Sequence, residues 1–471
     1  MTFTSPLFLV FLIFAVSINY ALPQRFRHLF LILCSFVFIG FYNIESLLAV
    51  LVFSLFNFFL AQSVKGNRFL FLVGLFVNAG AILLFNYFNT ATNGFVFTFS
   101  SIHFNLDCFI IALGLSFYSL QNIAFLTEVY YERIKTENSL YNFILYTSFF
   151  PKVISGPVML PAEFFPQINR NSITKTELTI GFQRFLTGLF KKMVIADRLA
   201  PAVSSVYDYP TSYSGMTVLA ATYLFTIQLY FDFSGYTDMA LGIAKMLGYD
   251  LKENFDTPLR STSVSEFWRR WHISLISWFT QYIYYPVVYK LRSFKKTAAL
   301  VGILFTFFVS GIWHGIGLTF TLWALCHAVY LSFELFTKGI RVKLSERLSG
   351  IGYKLISAFI VFNAICFSNI FFRAASAEKA FALIRSVFTS FVPQQWLSGF
   401  IAPLAIGGHQ ADEFNLYISV FLFSVFLLFE NRLNKMAKSA HYRIPYIVIL
   451  LMLIMLFGVF ANGARFIYMQ F

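Results

Sequence analysis

The histidine at position 314 is the residue of this sequence best suited to chemistry. It lies in FFVSGIWHGIGLTFTLWALCHAVYL, residues 307–331, between two apolar runs and among Gly311, Gly315 and Gly317. Glycine permits close backbone approach or a local break, so we expect a cavity beside the imidazole. An ionisable residue at membrane depth is costly and marks a functional site by default. The alternative is a histidine whose role is only to pack in the core.

A buried imidazole suits general-base catalysis. It can take a proton from a hydroxyl while that hydroxyl attacks a thioester, and this chemistry needs no cofactor bound permanently to the protein. The sequence has no phosphate-binding loop, no dinucleotide fingerprint after a strand and no HExxH pair. Its four cysteines lack the spacing of metal ligands. We therefore expect no metal, and neither ATP-driven transport nor zinc proteolysis is supported.

A second histidine follows two arginines in SVSEFWRRWHISLISWFTQYIYYP, residues 263–286. On one continuous helix, Trp268 and His272 would share a face because they are four residues apart. The pair Arg269 and Arg270 would then point in other directions. The tryptophans alone would indicate an aromatic belt at the membrane interface.

Asp232 and Asp238 follow an uncharged run in the stretch LYFDFSGYTDMALGIAKMLGYDLKENF, residues 229–255. We expect Asp232 to cap a break at Ser234 and Gly235, because glycine tolerates turns that other residues resist. For Asp232 and Asp238 we favour a structural role, pairing with an arginine or capping a helix, over direct chemistry.

Residues 176–198, TELTIGFQRFLTGLFKKMVIADR, have apolar residues at spacings of three and four. This pattern predicts an amphipathic helix at the cytoplasmic interface. The helix would rest on lipid headgroups, and Lys191, Lys192 and Arg198 could in addition contact a phosphorylated donor that enters from the cytoplasm. Both roles are compatible.

The elements that position these residues are membrane spans. The chain is 58% hydrophobic and 12% charged, whereas a soluble domain has about a quarter charged residues. The stretch 298–337 is long enough for two spans of roughly 20 residues. Together with it, the apolar stretches that approach or exceed one span are 5–21, 29–43, 45–62, 69–88, 106–127, 214–233, 355–372, 414–430 and 444–460. We treat 1–471 as one membrane domain, with N-terminal spans at 1–130, a catalytic core at 131–337 and C-terminal spans at 338–471.

The net charge of +14 does not indicate nucleic-acid binding, because the basic residues separate the apolar runs. They fall in alternate loops, which the positive-inside rule assigns to the cytoplasm. This places the N-terminus, the loop 89–105 and the connection 374–413 on the extracytoplasmic side. The first apolar run lacks a preceding basic residue and a small-residue cleavage site, so we expect it to remain as a span. No internal repeat of the kind found in transporters is present.

Eight segments of the chain resemble, in the same order, the membrane-bound O-acyltransferase family and its bacterial branch of alginate and peptidoglycan O-acetyltransferases. The segments are LGLSFYSLQNIAFLTEVY (113–130), SFFPKVISGPV (148–158), GLFKKMVIADRLAP (188–201), YFDFSGYTDMALGIAKMLGY (230–249), ENFDTPLRSTSVSEFWRRWHISL (253–275), SGIWHGIGLTFTLW (310–323), FFRAAS (371–376) and RFIYMQF (465–471). The resemblance implies an all-α polytopic protein of about 11–12 transmembrane helices around a thin, funnelled catalytic core.

The resemblance also implies roles for particular residues. His314 corresponds to the family's catalytic histidine and His272 to the second active-site histidine of the branch. Four basic residues are candidates for the phosphates of acetyl-CoA, and four further residues for supporting the site. The first group is Arg269, Arg270, Lys191 and Lys192, and the second is Trp313, Asp232, Asp238 and Trp268.

The implied protein lies in the bacterial inner membrane and takes its acetyl group from the cytoplasm. It acts on an extracytoplasmic polysaccharide, peptidoglycan or an alginate-like polymer, with the help of an SGNH-type esterase or transferase as partner. The chain departs from the branch at Phe279 to Tyr282, where many members have Leu-Arg-Asp-Tyr, and at 287–296. These departures bear on the acceptor or partner. The alternatives are a D-alanyl transferase for teichoic acid, a carrier or flippase, and a structural scaffold.

Overall fold

The computed structural model describes residues 1–91, 97–99, 102–104, 113–168, 174–348, 350–390, 410–460 and 466–467. Within these residues the chain forms nineteen α-helices and a single β-hairpin, in which β1 (Phe97–Phe99) pairs antiparallel with β2 (Ile102–Phe104). The predicted all-α membrane fold is confirmed apart from this hairpin, which falls in the predicted extracytoplasmic loop 89–105.

The N-terminal helices are α1 (Pro6–Ala21), α2 (Gln24–Gly40), α3 (Ile44–Ala61), α4 (Arg68–Ala91), α5 (Leu115–Tyr130), α6 (Leu140–Ser148) and α7 (Pro161–Ile168). The middle helices are α8 (Lys175–Leu189), α9 (Asp197–Asp208), α10 (Gly215–Met246), α11 (Val264–Arg270), α12 (Ile273–Phe279), α13 (Tyr285–Lys290) and α14 (Lys296–His314). The last helices are α15 (Leu318–Arg347), α16 (Ile351–Arg373), α17 (Ala377–Thr389), α18 (Gln410–Lys438) and α19 (Arg443–Phe457). Two π-helical segments, Phe190–Ala196 and Thr280–Tyr284, join α8 to α9 and α12 to α13.

Five of the described helices, α3, α10, α14, α15 and α16, are long and apolar enough to cross a membrane. Four shorter apolar helices lie at Pro6–Ala21, Arg68–Leu84, Tyr417–Glu430 and Arg443–Phe457. The division of 298–337 into two helices is confirmed, because α14 ends at His314 and α15 begins at Leu318. The total of 11–12 spans, the division into three regions and the orientation of the N-terminus stay predictions.

Helix α10 is the centre of the fold. Its 32 residues are buried on every face, as expected of a helix that is surrounded by other helices. It packs against α8, α9, the first π-helical segment, α16 and α17. The break that we predicted at Ser234 and Gly235 is wrong, because α10 continues through both residues.

Glycine pairs allow α8 and α10 to touch along their backbones. A Cβ atom on Gly188 would lie 2.6 Å from the backbone nitrogen of Met239 and closer still to the carbonyl of Gly235. About two helical turns further along each helix, a Cβ atom on Gly242 would lie 2.5 Å from the carbonyl of Gly181. Small residues at such contacts are typical of helix pairs in membranes. Gly235 therefore serves close packing and not a helix break.

The predicted surface helix over 176–198 is wrong in its second half. Phe185, Leu189 and Met193 are buried in the core, and every residue of the π-helical segment Phe190–Ala196 is buried. This part of the apolar face packs against α10, whereas Phe182 in the first half is exposed. The periodicity of residues 176–198 cannot indicate that their partner is α10, because α10 lies some 50 residues further along the chain.

We predict that Gly188→Ala destabilises the protein by about 1–3 kcal/mol, because the added methyl group overpacks the contact with α10. Thermal unfolding of the purified protein in detergent measures the change. Gly339→Ala is the matched control, since a Cβ atom there meets nothing within 4 Å. Equal unfolding temperatures for the two variants would contradict the close contact of α8 and α10.

Candidate active site

His314 is the last residue of α14 and is only 4% exposed. The chain reverses at Gly315 to Gly317 and continues into α15. A Cβ atom on Gly311 would lie 2.9 Å from that of Ala324, and one on Gly315 would lie 2.5 Å from the Phe320 ring. The close backbone approach that we predicted from these glycines is therefore present, and it presses the end of α14 against α15.

Three aromatic rings surround the His314 imidazole edge-on. Their centroids lie 4.7 Å away for Trp313, 4.9 Å for Trp323 and 5.3 Å for Phe372. The last carbonyls of α14 have no partner within the helix, and Asn86 of α4 donates to two of them, Ile312 at 3.0 Å and Trp313 at 2.8 Å. Helices α4, α15 and α16 thus hold His314 in place.

His272 lies between α11 and α12 in a left-handed backbone conformation, with φ 45° and ψ 50°. The chain is therefore not one continuous helix over 263–286, and Trp268 and His272 do not share a helical face. Asn254 supports the break, because its carbonyl accepts from the N–H of Ile273 at 3.0 Å and its side chain from that of Ser274 at 3.1 Å. A residue other than glycine in this conformation costs about 1–3 kcal/mol and is concentrated at functional sites.

One aromatic cluster connects the two histidines. The Phe117 ring lies 6.4 Å from the His272 imidazole and 5.7 Å from the Trp313 ring, which in turn contacts His314. Phe233 of α10 contacts His272 edge-on at 4.7 Å. The structure thus brings together residues that are 42 positions apart in the sequence.

His327 is a third buried histidine beside this cluster, and the sequence indicated only packing for it. Trp268 donates its indole N–H to His327 Nδ1 at 3.3 Å, and Ser368 Oγ lies 3.0 Å from Nε2. Because Ser368 donates its proton to the carbonyl of Ile365 at 2.9 Å, we assign the Nε2 proton to His327. Both imidazole nitrogens are occupied, so His327 supports the site structurally. Trp268, predicted as a supporting residue, acts on this histidine.

A polar cavity of about 550 Å³ lies between α8, α10, α18 and α19. Three basic and four acidic side chains line it, so its wall is close to charge balance. They are Arg184, Lys191 and Arg443, with Asp238, Glu253, Asp256 and Glu430. Among the described residues, the buried Ser234 Oγ, Thr237 Oγ1 and Arg443 Nε have no hydrogen-bond partner. Ser234 follows Phe233, so the cavity reaches the part of α10 that contacts His272.

The predicted aspartates and lysines form buried ion pairs between α10 and the first π-helical segment. Lys191 Nζ lies 2.7 Å from Asp238 Oδ2, and Lys192 Nζ lies 2.7 Å from both Asp232 Oδ1 and Asp197 Oδ1. A structural role for both aspartates fits this arrangement, although lysine is the principal partner of Asp232. Lys192 is 1% exposed and does not line the polar cavity. Phosphate binding by the two lysines stays a prediction.

The two predicted arginines lie on different sides of α11. Arg270 pairs with Glu266 at 2.8 Å and donates to Thr257 Oγ1 at 3.1 Å; Thr257 lines the polar cavity. Arg269 is exposed and lines a separate hollow of about 430 Å³ together with Gln281. Of the pair, only Arg270 is near the polar cavity, and phosphate binding by either arginine stays a prediction.

A second, apolar cavity of about 1010 Å³ lies between α4, α5, α12 and α14. Trp313 lines it, and its buried indole N–H has no acceptor in the part of the chain that the structure describes. At one end, Glu128 Oε1 accepts from Gln281 at 2.9 Å and Tyr282 at 2.8 Å, two positions of the segment that departs from the bacterial branch. His314 lines neither cavity, so the cavity that we expected beside the imidazole is not one of these two.

Several polar residues of the site were missed in the sequence. Arg184 contacts Asp238 at 2.8 Å and Glu253 at 2.6 Å, and Tyr230 donates a short hydrogen bond to Glu430. Glu430 could have been found in the sequence, because it is an ionisable residue at the end of an apolar run. The signal for Arg184 and Glu253 is weaker, because only the fold brings them to Asp238.

Comparison with known proteins agrees with this arrangement. The family model of MBOAT, the membrane-bound O-acyltransferase family, matches residues 31–376, which include both histidines and the polar middle of the chain. The chain belongs to this family.

Members of the membrane-bound O-acyltransferase family that resemble the chain come from several bacteria. The protein named "Probable alginate O-acetylase AlgI" of Azotobacter vinelandii is 32% identical over 67% of the chain, and the match covers 65% of the relative. The peptidoglycan O-acetyltransferase of Helicobacter pylori is 31% identical over 82% of the chain and 79% of its own length. The teichoic acid D-alanyltransferase of Bacillus subtilis is 28% identical over 43% of the chain and 54% of its own length.

We predict that Lys192→Met lowers stability by about 3–5 kcal/mol, because it leaves the carboxylates of Asp232 and Asp197 buried without their shared cation. Lys338→Met, at an exposed position of α15, is the control. Thermal unfolding in detergent measures both. A Lys192→Met protein with wild-type stability but a raised KM for acetyl-CoA would contradict this role and favour donor binding.

Proposed function

We propose that the chain is an O-acyltransferase that moves an acetyl group from cytoplasmic acetyl-CoA across the inner membrane for O-acetylation of an extracytoplasmic polysaccharide. The observation that supports it most strongly is the placement of two buried histidines, His272 and His314, at helix breaks within one aromatic cluster. Packing alone does not account for the position of His272, because its strained backbone carries a cost. Membership of the membrane-bound O-acyltransferase family supports acyl transfer as the reaction of these two histidines.

His314 acts as the general base in the proposed reaction. It takes the proton of an incoming hydroxyl while the oxygen attacks the thioester carbonyl carbon, and the C–S bond then breaks. The products are an acetate ester and free coenzyme A, whose thiolate receives the proton. His272 orients the donor or stabilises the negative charge that develops on the carbonyl oxygen.

The polar cavity fits the pantetheine arm of the donor better than its phosphates. Its wall has nearly equal numbers of acidic and basic groups, whereas a phosphate site is expected to be basic. The hydroxyls of Ser234 and Thr237 and the N–H of Arg443 supply groups for the amides and the hydroxyl of such an arm. Arg270, whose hydrogen-bond partner Thr257 lines the cavity, is a candidate for the phosphates. No permanently bound cofactor is required.

The acceptor is proposed to be peptidoglycan or an alginate-like exopolysaccharide. This follows the names of relatives that match two thirds or more of the chain. An SGNH-type esterase or transferase outside the membrane would receive the acetyl group and pass it to the polymer. D-Alanyl transfer to teichoic acid is the second candidate, and the B. subtilis relative supports it over a shorter match.

We expect His314→Ala to lower acetyl transfer by about 10²–10⁴-fold, the usual contribution of general acid–base catalysis. The measurement is ester-linked acetate on the wall or exopolysaccharide of a host that lacks its own copy. His441→Ala is the control, because His441 is exposed between α18 and α19. Equal amounts of both variants must be present in the membrane, and near wild-type acetylation by His314→Ala would remove His314 from the mechanism.

Membrane vesicles supplied with acetyl-CoA labelled in the acetyl group separate an enzyme from a carrier. A transferase releases free coenzyme A, whereas a carrier leaves the thioester intact. Replacing acetyl-CoA by the D-alanyl thioester of coenzyme A distinguishes the acetyltransferase from the D-alanyl transferase. Release of coenzyme A only with the D-alanyl donor would contradict acetyl transfer.

A further inference from the structure

The short stretch Phe466–Ile467 packs against the middle of α10, with Phe466 buried and Ile467 partly buried, although more than 200 residues separate the stretch from α10. The Phe466 ring contacts the Tyr236 ring edge-on at 5.2 Å. The backbone N–H of Ile467 donates to Asp232 Oδ2 at 2.8 Å. The stretch therefore contacts α10 through both a side chain and the backbone.

The same stretch contacts both members of the buried ion pair. Lys192 Nζ binds Asp232 Oδ1 and lies 4.4 Å from the centre of the Phe466 ring, within the range of a cation–π interaction. The Ile467 N–H occupies the other oxygen of the same carboxylate. A buried carboxylate is stable only when its oxygens are paired and hydrogen-bonded, so Ile467 completes the ion pair.

Two further contacts bind the chain between α19 and this stretch to the first π-helical segment and α9. The N–H of Val459 donates to the carbonyl of Met193 at 3.1 Å. Arg198 Nε donates to the carbonyl of Phe457, the last residue of α19, at 3.2 Å. A π-helix alters the hydrogen bonding of its carbonyls and is frequent at functional sites. Phe457, Val459, Phe466 and Ile467 are thus attached to elements on both sides of the ion pair.

Asp232 is adjacent to the residue of α10 that contacts an active-site histidine. Phe233 follows it directly, and the Phe233 ring packs edge-on against His272 at 4.7 Å. A shift of α10 at Asp232 would be transmitted to this contact. Misplacement by about 1 Å of a group at a reaction centre can lower the rate by about a hundredfold.

We propose that Phe466–Ile467 is a positioning element of the active site, which holds α10 at Asp232 and through Phe233 keeps His272 in place. The proposal rests on the proposed function for its kinetic test. Ile467 and Phe466 are positioning residues, since neither contacts the imidazole in the described structure.

Ile467→Pro tests the backbone contact, because proline lacks the N–H that Asp232 accepts. We expect kcat for acetyl transfer in membrane vesicles to fall by about ten- to a hundredfold, with the KM for acetyl-CoA unchanged within about twofold. Ile467→Ala is the matched control, since it loses more apolar surface but keeps the N–H, and it should retain most of kcat. Equal kcat values for the two variants would overturn the proposal.

Hydrogen exchange of α10 gives a test that does not depend on catalysis. We expect faster exchange of the amides around Asp232 in Ile467→Pro than in Ile467→Ala. If Ile467→Pro fails to fold, Phe466→Leu removes the cation–π contact at similar volume and should lower kcat without lowering the amount of folded protein. Wild-type vesicles without acetyl transfer would refute the proposed function, whereas unchanged exchange in Ile467→Pro would refute the positioning element.

Discussion

The neutralisation of buried carboxylates on α10 is the interaction on which the rest of the structure depends. Asp232 and Asp238 lie in a helix that is buried on all sides, where an unpaired charge would cost several kcal/mol. Lys192 and Lys191, in the first π-helical segment, supply the counter-charges. Each lysine Nζ lies 2.7 Å from a carboxylate oxygen of its aspartate. These pairs bring polar groups into an apolar protein, and the polar cavity lies along the face of α10 that carries Asp238.

The two histidines differ in how their surroundings hold them. His314 is held by packing, with edge-on aromatic rings and the glycines that bring α14 against α15. His272 is held by the backbone, since its left-handed conformation depends on hydrogen bonds to Asn254. An active site needs groups that are fixed before the substrate arrives. The aromatic cluster fixes His314 in this way, and the strained connection fixes His272.

Glycine positions and apolar stretches in the sequence predicted those features of the fold that neighbouring residues determine. The glycines around His314 allowed either close approach of two helices or a local break, and close approach is present. The long apolar stretch 298–337 indicated two spans, and it forms two helices. The predictions that were wrong depend on distant partners. Gly235 contacts Gly188 and does not break α10, and the helix over 263–286 breaks because Asn254 and a β-bridge between Phe255 and Trp271 hold His272. Helical periodicity contains no information about such tertiary contacts.

In the proposed reaction, the polar cavity beside α10 leads the thioester to the histidines. This route can be examined in a structure of the protein bound to a non-hydrolysable acetyl-CoA analogue, in which a methylene group replaces the thioester sulfur. We expect the pantetheine arm to lie along Ser234 and Thr237, with its carbonyl carbon within about 4 Å of the His314 imidazole. An analogue that occupies the apolar cavity along Trp278, or that approaches neither histidine, would contradict it.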